Sequence, residues 1–148
     1  MKTIILTFLF AAILLCINTQ NLPTGATCTC PTRNFANHVF NSPLIFSGRV
    51  ANIASGDNTN RISFYINTLF KGRTKTNRII INTPKTANAC GFNFLRGNDY
   101  LIYTSYDANR NLIISSCSRT KLLTNSCEDL LNLSRLSLPT IPTTPTSS

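Results

Sequence analysis

The sequence predicts a mainly β fold: a five-stranded antiparallel barrel with one or two short packed helices, stapled by disulfides. Three observations carry this prediction. Five short runs rich in β-branched and aromatic residues recur between Leu44 and Ser116, separated by turn-forming clusters. An apolar leader at the N-terminus points to an oxidising compartment. Six cysteines are spread along 148 residues, which suits a small domain tied by bridges.

The leader comes first. Thr3 to Ile17 is an almost unbroken apolar run behind Lys2. It is shorter than the roughly 20 apolar residues that a membrane helix needs. It reads as a signal peptide over residues 1–20, with cleavage near Asn18 to Asn21, or as late as residue 27, where Ala26 and Thr27 supply small residues. The domain is expected over 28–136. Residues 137–148 include PTIPTTPTSS, a Thr/Pro/Ser run with too few apolar groups to pack, and are expected to be a disordered tail.

Within the domain, Leu44–Ile53 is apolar and β-branched, with Gly48 placed for a bend or bulge. Ile62–Phe70 alternates apolar and polar residues over most of its length, and Arg78–Thr83 is a continuous β-branched run. Tyr100–Tyr106 and Leu112–Ser116 complete the set. The intervening SGDNTN, KGRTKTN, RGND and DANRN segments are turns. Short strands at this spacing predict a closed or nearly closed barrel. A final helix is expected from Ser126, where Asp129 three residues on makes a capping-box-like start. Leu130, Leu131, Leu133 and Leu136 give it an apolar side, which Cys127 shares. A second short helix is expected at Phe35–Phe40.

Setting Cys16 aside with the leader leaves Cys28, Cys30, Cys90, Cys117 and Cys127. Two bridges and a free thiol are the simplest arrangement, and Cys127 on an apolar helix face is the candidate for that thiol, buried and inert. Cys28-Thr29-Cys30 lacks the nearby ligands that a metal site or redox centre wants. Cys28 with Cys90 and Cys30 with Cys117 would staple the N-terminal segment across the barrel. Spacing leaves the crossed pairing, 28 with 117 and 30 with 90, equally open.

Without Lys2 the chain carries thirteen Lys and Arg against five acids, about +8 at neutral pH. Outside the cell this favours polyanions or acidic protein surfaces as partners, and not nucleic acid. Lys71, Arg73, Lys75 and Arg78 cluster in one turn as a candidate polyanion-binding loop, for heparan sulfate or matrix. No catalytic set is present: the only histidine is His38, the acids are scattered, and no HExxH, GxSxG or phosphate-binding glycine loop occurs. The expectation is a binding protein and not an enzyme, with no cofactor or metal of its own, no membrane span, and a monomeric state. Asn132-Leu133-Ser134 is a glycosylation sequon inside the expected final helix.

Several segments together resemble the N-terminal netrin-like (NTR) domain of the tissue inhibitors of metalloproteinases (TIMPs). They are CTCP at 28–31, FNS at 40–42, SGRV at 47–50, LFKG at 69–72, CGFNF at 90–94, GNDYLIY at 97–103 and ISSCS at 114–118. The resemblance covers about Cys28 to Leu136 and implies an OB-fold barrel with bridges Cys28–Cys90 and Cys30–Cys117. It implies a secreted inhibitor of metalloendopeptidases whose partners are secreted or membrane-bound zinc metalloproteases. The mature chain of such an inhibitor begins at the first cysteine. The α-amino group and carbonyl of Cys28 would chelate the protease's zinc and displace its water. Thr29 would enter the specificity pocket, with Cys30, Pro31, Asn88 and Ala89 also in contact. Phe40 departs from the family, which has a cysteine there. Cleavage near residue 20 would instead leave NLPTGAT ahead of Cys28 and turn its amine into an amide. That product would be a non-inhibitory NTR module holding matrix, glycosaminoglycan or another secreted protein.

Overall fold

A computed structural model describes residues 28–137. The expected leader and all but the first residue of the expected tail lie outside the described residues. The chain order is α1 (Phe35–Asn41), β1 (Ile45–Ser55), β2 (Thr59–Lys71), β3 (Arg78–Pro84), β4 (Asp99–Tyr103), β5 (Ser105–Tyr106), β6 (Leu112–Ile113), β7 (Lys121–Leu122), a 3-10 turn (Leu123–Asn125) and α2 (Cys127–Ser137). The strands form one curled sheet in the order β5-β6-β3-β2-β1-β4-β7.

That order brings the sheet back towards its start. β4 and β5 are one extended stretch broken only at Thr104, and they lie at opposite ends of the core ladder. β4 pairs with β1, and β5 pairs with β6, which reaches β3. The result is a mainly β, barrel-like fold of the class the sequence predicts. Thr104 makes the corner: its backbone N–H and its hydroxyl both donate to the Leu44 carbonyl, at 3.1 and 2.9 Å. The details differ from the sequence reading: among the described residues the sheet has seven strands where five are expected, because Tyr100–Tyr106 is split at Thr104 and β7 is added. The β3–β6 contact is parallel. The fifth strand is only Leu112–Ile113, because Ser115 and Ser118 bond to each other at 2.7 Å and turn the chain away.

Gly48 falls where the β1–β2 register slips. A Cβ there would lie 2.7 Å from the Tyr65 carbonyl oxygen, so the bend excludes any larger residue.

Alternation on β1 and β4 divides the apolar residues between two cores. Phe46, Val50, Tyr100 and Ile102 point into the barrel with Ile62, Phe64, Ile81, Phe94 and Ile114. Phe94 sits edge-on to Phe64 at 5.2 Å and to Tyr100 at 4.9 Å. Ile45, Leu101 and Tyr103 point outwards and are covered by Leu133 of α2 with Phe35 and Val39 of α1. Strands buried on both faces explain why LIF and YLIY read as continuous apolar runs. β2 is wetter on its outer face, where Tyr65, Asn67 and Leu69 are exposed, although Ser63 between Ile62 and Phe64 is buried with them.

The expected capping box at α2 is not made. The Ser126 hydroxyl donates to the Leu122 carbonyl at 2.8 Å, one turn back. The Asp129 carboxylate turns instead towards the barrel. It accepts from the Tyr103 hydroxyl at 3.1 Å and from two Arg119 nitrogens at 2.8 Å each, and Lys121 lies 3.3 Å away. Arg119 stacks over Phe35 at 5.5 Å, so one fully buried carboxylate joins both helices to β4. Burial alone would raise the Asp129 carboxyl; Arg119, Lys121 and Tyr103 together hold it below its ordinary value.

Candidate functional site

Three segments meet at one end of the barrel: residues 28–31, the turn 86–90, and the turn 115–118. Bridges Cys28–Cys90 and Cys30–Cys117 join them, with Cα separations of 5.3 and 5.1 Å. Of the two pairings that spacing left open, the uncrossed one is present. The bridges lie side by side, the Cys28 and Cys117 sulfurs being 3.4 Å apart. The sulfurs of Cys28, Cys30 and Cys117 lie within 4.8 Å of one another, but each is already spent in a bridge and offers no thiolate to a metal.

The middle turn is built from local backbone bonds. Thr86 accepts from Ala89 and Gly91 at 3.2 and 2.9 Å, and Ala87 accepts from Cys90 at 3.0 Å. Gly91 is required because a Cβ there would collide with the Pro84 carbonyl. Cys90 has φ 61°, a left-handed conformation that costs a non-glycine residue about 1 kcal/mol. Its carbonyl accepts from Ser116 at 2.8 Å, so bridge and hydrogen bond act together to hold it.

Sequence reasoning named Cys28, Thr29, Cys30, Pro31, Asn88 and Ala89, and the structure brings all six to this end. Thr29, Cys30, Pro31, Asn88 and Ala89 are exposed and Cys28 is half-buried. The result is a narrow ridge of backbone with small side chains, backed by two bridges.

The basic loop divides. Lys71 does not face outwards as a free cation: its ammonium donates to the carbonyls of Val39 and Phe40 at 2.7 and 3.0 Å, closing the end of α1. Arg78 lies over the Tyr65 ring at 5.8 Å. Arg73 and Lys75 stay exposed in the turn.

The expectation of a free thiol at Cys127 is corrected: Cys127 is in a disulfide, and no described cysteine is free. The odd count arose from setting Cys16 aside; the full chain has six cysteines, and a mature chain beginning at Cys28 would have five.

His38, expected as an ordinary surface or capping residue, is half-buried, with its ring edge-on to Tyr103 at 6.4 Å. It lines a cavity of about 210 Å³ behind the ridge, together with Arg33 and Ser42. Nothing in the local sequence marks this cavity, because its walls come from α1, β5 and the 115–118 turn. The Asp129–Arg119 cluster was equally hidden.

No known family model matches the chain, and no curated protein matches it. Among the described residues, no helix is long and apolar enough to cross a membrane.

Proposed function

We propose that this chain is a secreted inhibitor of zinc metalloendopeptidases of the TIMP kind, acting through Cys28. The observation that carries the reading is the exposed Cys28–Pro31 segment, held beside the 86–90 turn by two adjacent bridges. In the mature protein the chain begins at Cys28. Its α-amino nitrogen and carbonyl oxygen bind the target's zinc and displace the water that would attack substrate. The amine's ordinary pKa is about 8, so zinc displaces its proton near neutral pH. A chelate held in place before binding loses little conformational freedom on complex formation. Thr29 follows into the target's specificity pocket, and Asn88 and Ala89 flank it.

The test joins two measurements on the secreted protein: its N-terminal sequence, and inhibition of a panel of zinc endopeptidases. The expected result is a start at Cys28 and tight, stoichiometric inhibition that one alanine added ahead of Cys28 abolishes. A start at Asn21 or earlier, or inhibition that survives the added alanine, overturns the reading.

The exposed Arg73 and Lys75 favour a second reading, in which the chain is a non-inhibitory module for sulfated glycans or matrix. It requires heparin retention at physiological salt that R73A/K75A removes.

A further inference from the structure

We infer that the cavity between α1 and the 115–118 turn is a binding site for a small oxyanion, held by Arg33, His38 and the Ser42 hydroxyl. The inference is independent of the zinc reading; the two sites share only the walls formed by Pro31 and Cys117.

The hydroxyls around the cavity fall into two groups. Those of Thr104 and Ser118 donate to the carbonyls of Leu44 and Ser115, at 2.9 and 2.7 Å. The Ser115 oxygen accepts from the Cys117 amide at 3.2 Å. These are committed to the protein. Ser42 is different. It is only 5% exposed, it lines the cavity, and its hydroxyl has no hydrogen-bond partner among the described residues. No buried side-chain oxygen among the described residues lacks a partner, so this hydroxyl is reached by solvent, and on the cavity wall it is free to donate to a ligand.

Two further polar side chains face the same space without a protein hydrogen bond, the His38 imidazole and the Arg33 guanidinium. His38 and Ser42 are stacked one helical turn apart, the Ser42 amide donating to the His38 carbonyl at 3.1 Å. Arg33 enters from the segment that leads out of the Cys30–Cys117 bridge. A guanidinium, an imidazole and a hydroxyl, three groups able to donate, line one space.

The charge around the cavity has one sign. No carboxylate is among its lining residues. The groups facing His38 from the surrounding elements are Arg33, Arg119, Lys121 and Tyr103, with Asp129 alone opposing. Burial first, and then the positive charges of Arg119 and Arg33, hold the imidazole below its ordinary 6.5. An anion in the cavity would offset that field and raise the imidazole again, so binding and His38 protonation favour each other.

Size limits the ligand. About 210 Å³ is below the roughly 300–1,000 Å³ of pockets that take drug-sized molecules. It suits a carboxylate or a tetrahedral oxyanion. Such a group could arrive free, as a sulfate of a glycan, or as an acidic side chain of a bound protein; the chemistry recognised is the same.

The experiment titrates the ¹⁵N-labelled secreted protein with sodium sulfate or sodium acetate, against sodium chloride at matched ionic strength. Both probes keep their charge between pH 5.5 and 7.5. The expected result is saturable shifts at the His38 ring and the Ser42 and Ser118 amides, several-fold tighter at pH 5.5. Arg33→Ala, at an exposed position that does not threaten folding, should weaken binding about tenfold, the value of one charge-assisted hydrogen bond. Ser42→Ala should weaken it about threefold with the amide spectrum otherwise kept. R73A/K75A should leave it unchanged. A preference for sulfate assigns a tetrahedral group, and a preference for acetate assigns a carboxylate. Shifts equal to those with chloride, binding unchanged in R33A, or shifts that map to Arg73 and Lys75 overturn the site.

Discussion

The two sides of this barrel differ in what holds them. At the ridge, residues 28–31 and 86–90 bury almost nothing, and two disulfides fix them. On the helix-covered side no bridge joins two described residues, although Cys127 at the start of α2 is itself in a disulfide; there Ile45, Leu101, Tyr103 and Leu133 pack together around the Asp129 carboxylate and its three partners. Under the proposed function, the contrast has a physical reason. A segment meant to enter another molecule cannot be anchored by burying its own side chains, because burial would hide it. Covalent ties order the backbone and leave the side chains outside. A helix packed on a sheet has no such constraint, and apolar area with one satisfied ion cluster is enough.

The strongest way to break the contrast is to cut the ridge's bridges. Replacing Cys30 and Cys117 by serine removes a link between residues 87 apart in sequence. The denatured chain gains the freedom of that loop, and stability should fall by about 4 kcal/mol, read from urea unfolding. Inhibition should vanish even in the fraction that remains folded, because Cys28 and Thr29 lose the frame that aims them. Retained inhibition in folded C30S/C117S would show that the bridges are staples only.

The mirror-image experiment is Asp129→Ala. It strands Arg119 and the Tyr103 hydroxyl against a low-polarity wall, and breaking such a buried pair costs about 3 kcal/mol. The folded fraction should inhibit like the parent, since the ridge lies elsewhere. The same carboxylate sets an acid limit. Asp129 is held below 3.8 in the folded state, so the unfolded state binds its proton first as pH falls. Its contribution is therefore complete above the unfolded value and lost as pH drops through the folded one. Unfolding midpoints measured from pH 5 to pH 2 should fall steeply below about 4 in the parent, and less steeply in D129A.

The parts of this architecture that could be read in the sequence are those that repeat or that have a fixed local chemistry. The alternation in Ile62–Phe70 announces a half-exposed strand, and it is one. The continuous YLIY run announces a strand without saying why it is apolar on both faces; only the helices on its outer side explain Leu101 and Tyr103. The ridge residues were named through the TIMP resemblance that CTCP, CGFNF and ISSCS carry, while spacing alone left their bridge pairing open. The Asp129 cluster was not legible, because Ser126 and Asp129 satisfy a local capping rule that a stronger tertiary partner, Arg119, overrides. The Arg33–His38–Ser42 cavity was hidden for a related reason. Its donors look like ordinary helix-end residues until the 115–118 turn is folded against them. The basic loop was legible only as a cluster of charge, since nothing in KGRTKTN tells that Lys71 closes α1 while Arg73 is exposed in the turn.

The smallest effect on stability should come with the largest change in selectivity, and it belongs to Thr29. Its side chain is exposed and makes no hydrogen bond within the described residues, so Thr29→Arg or Thr29→Gly should change folding stability by no more than about 0.5 kcal/mol. In the proposed complex, however, this side chain is the one that enters the target's pocket. Arginine there brings a charge that an apolar pocket cannot solvate, and glycine leaves the pocket unfilled. Inhibition constants across an endopeptidase panel should therefore spread by about tenfold or more between the two variants, while their melting curves overlay. Equal inhibition by parent, T29R and T29G would mean that Thr29 touches nothing in the partner. The ridge would then be a covalently braced loop whose exposure has some other purpose, and the contrast between the barrel's two sides would be one of folding alone.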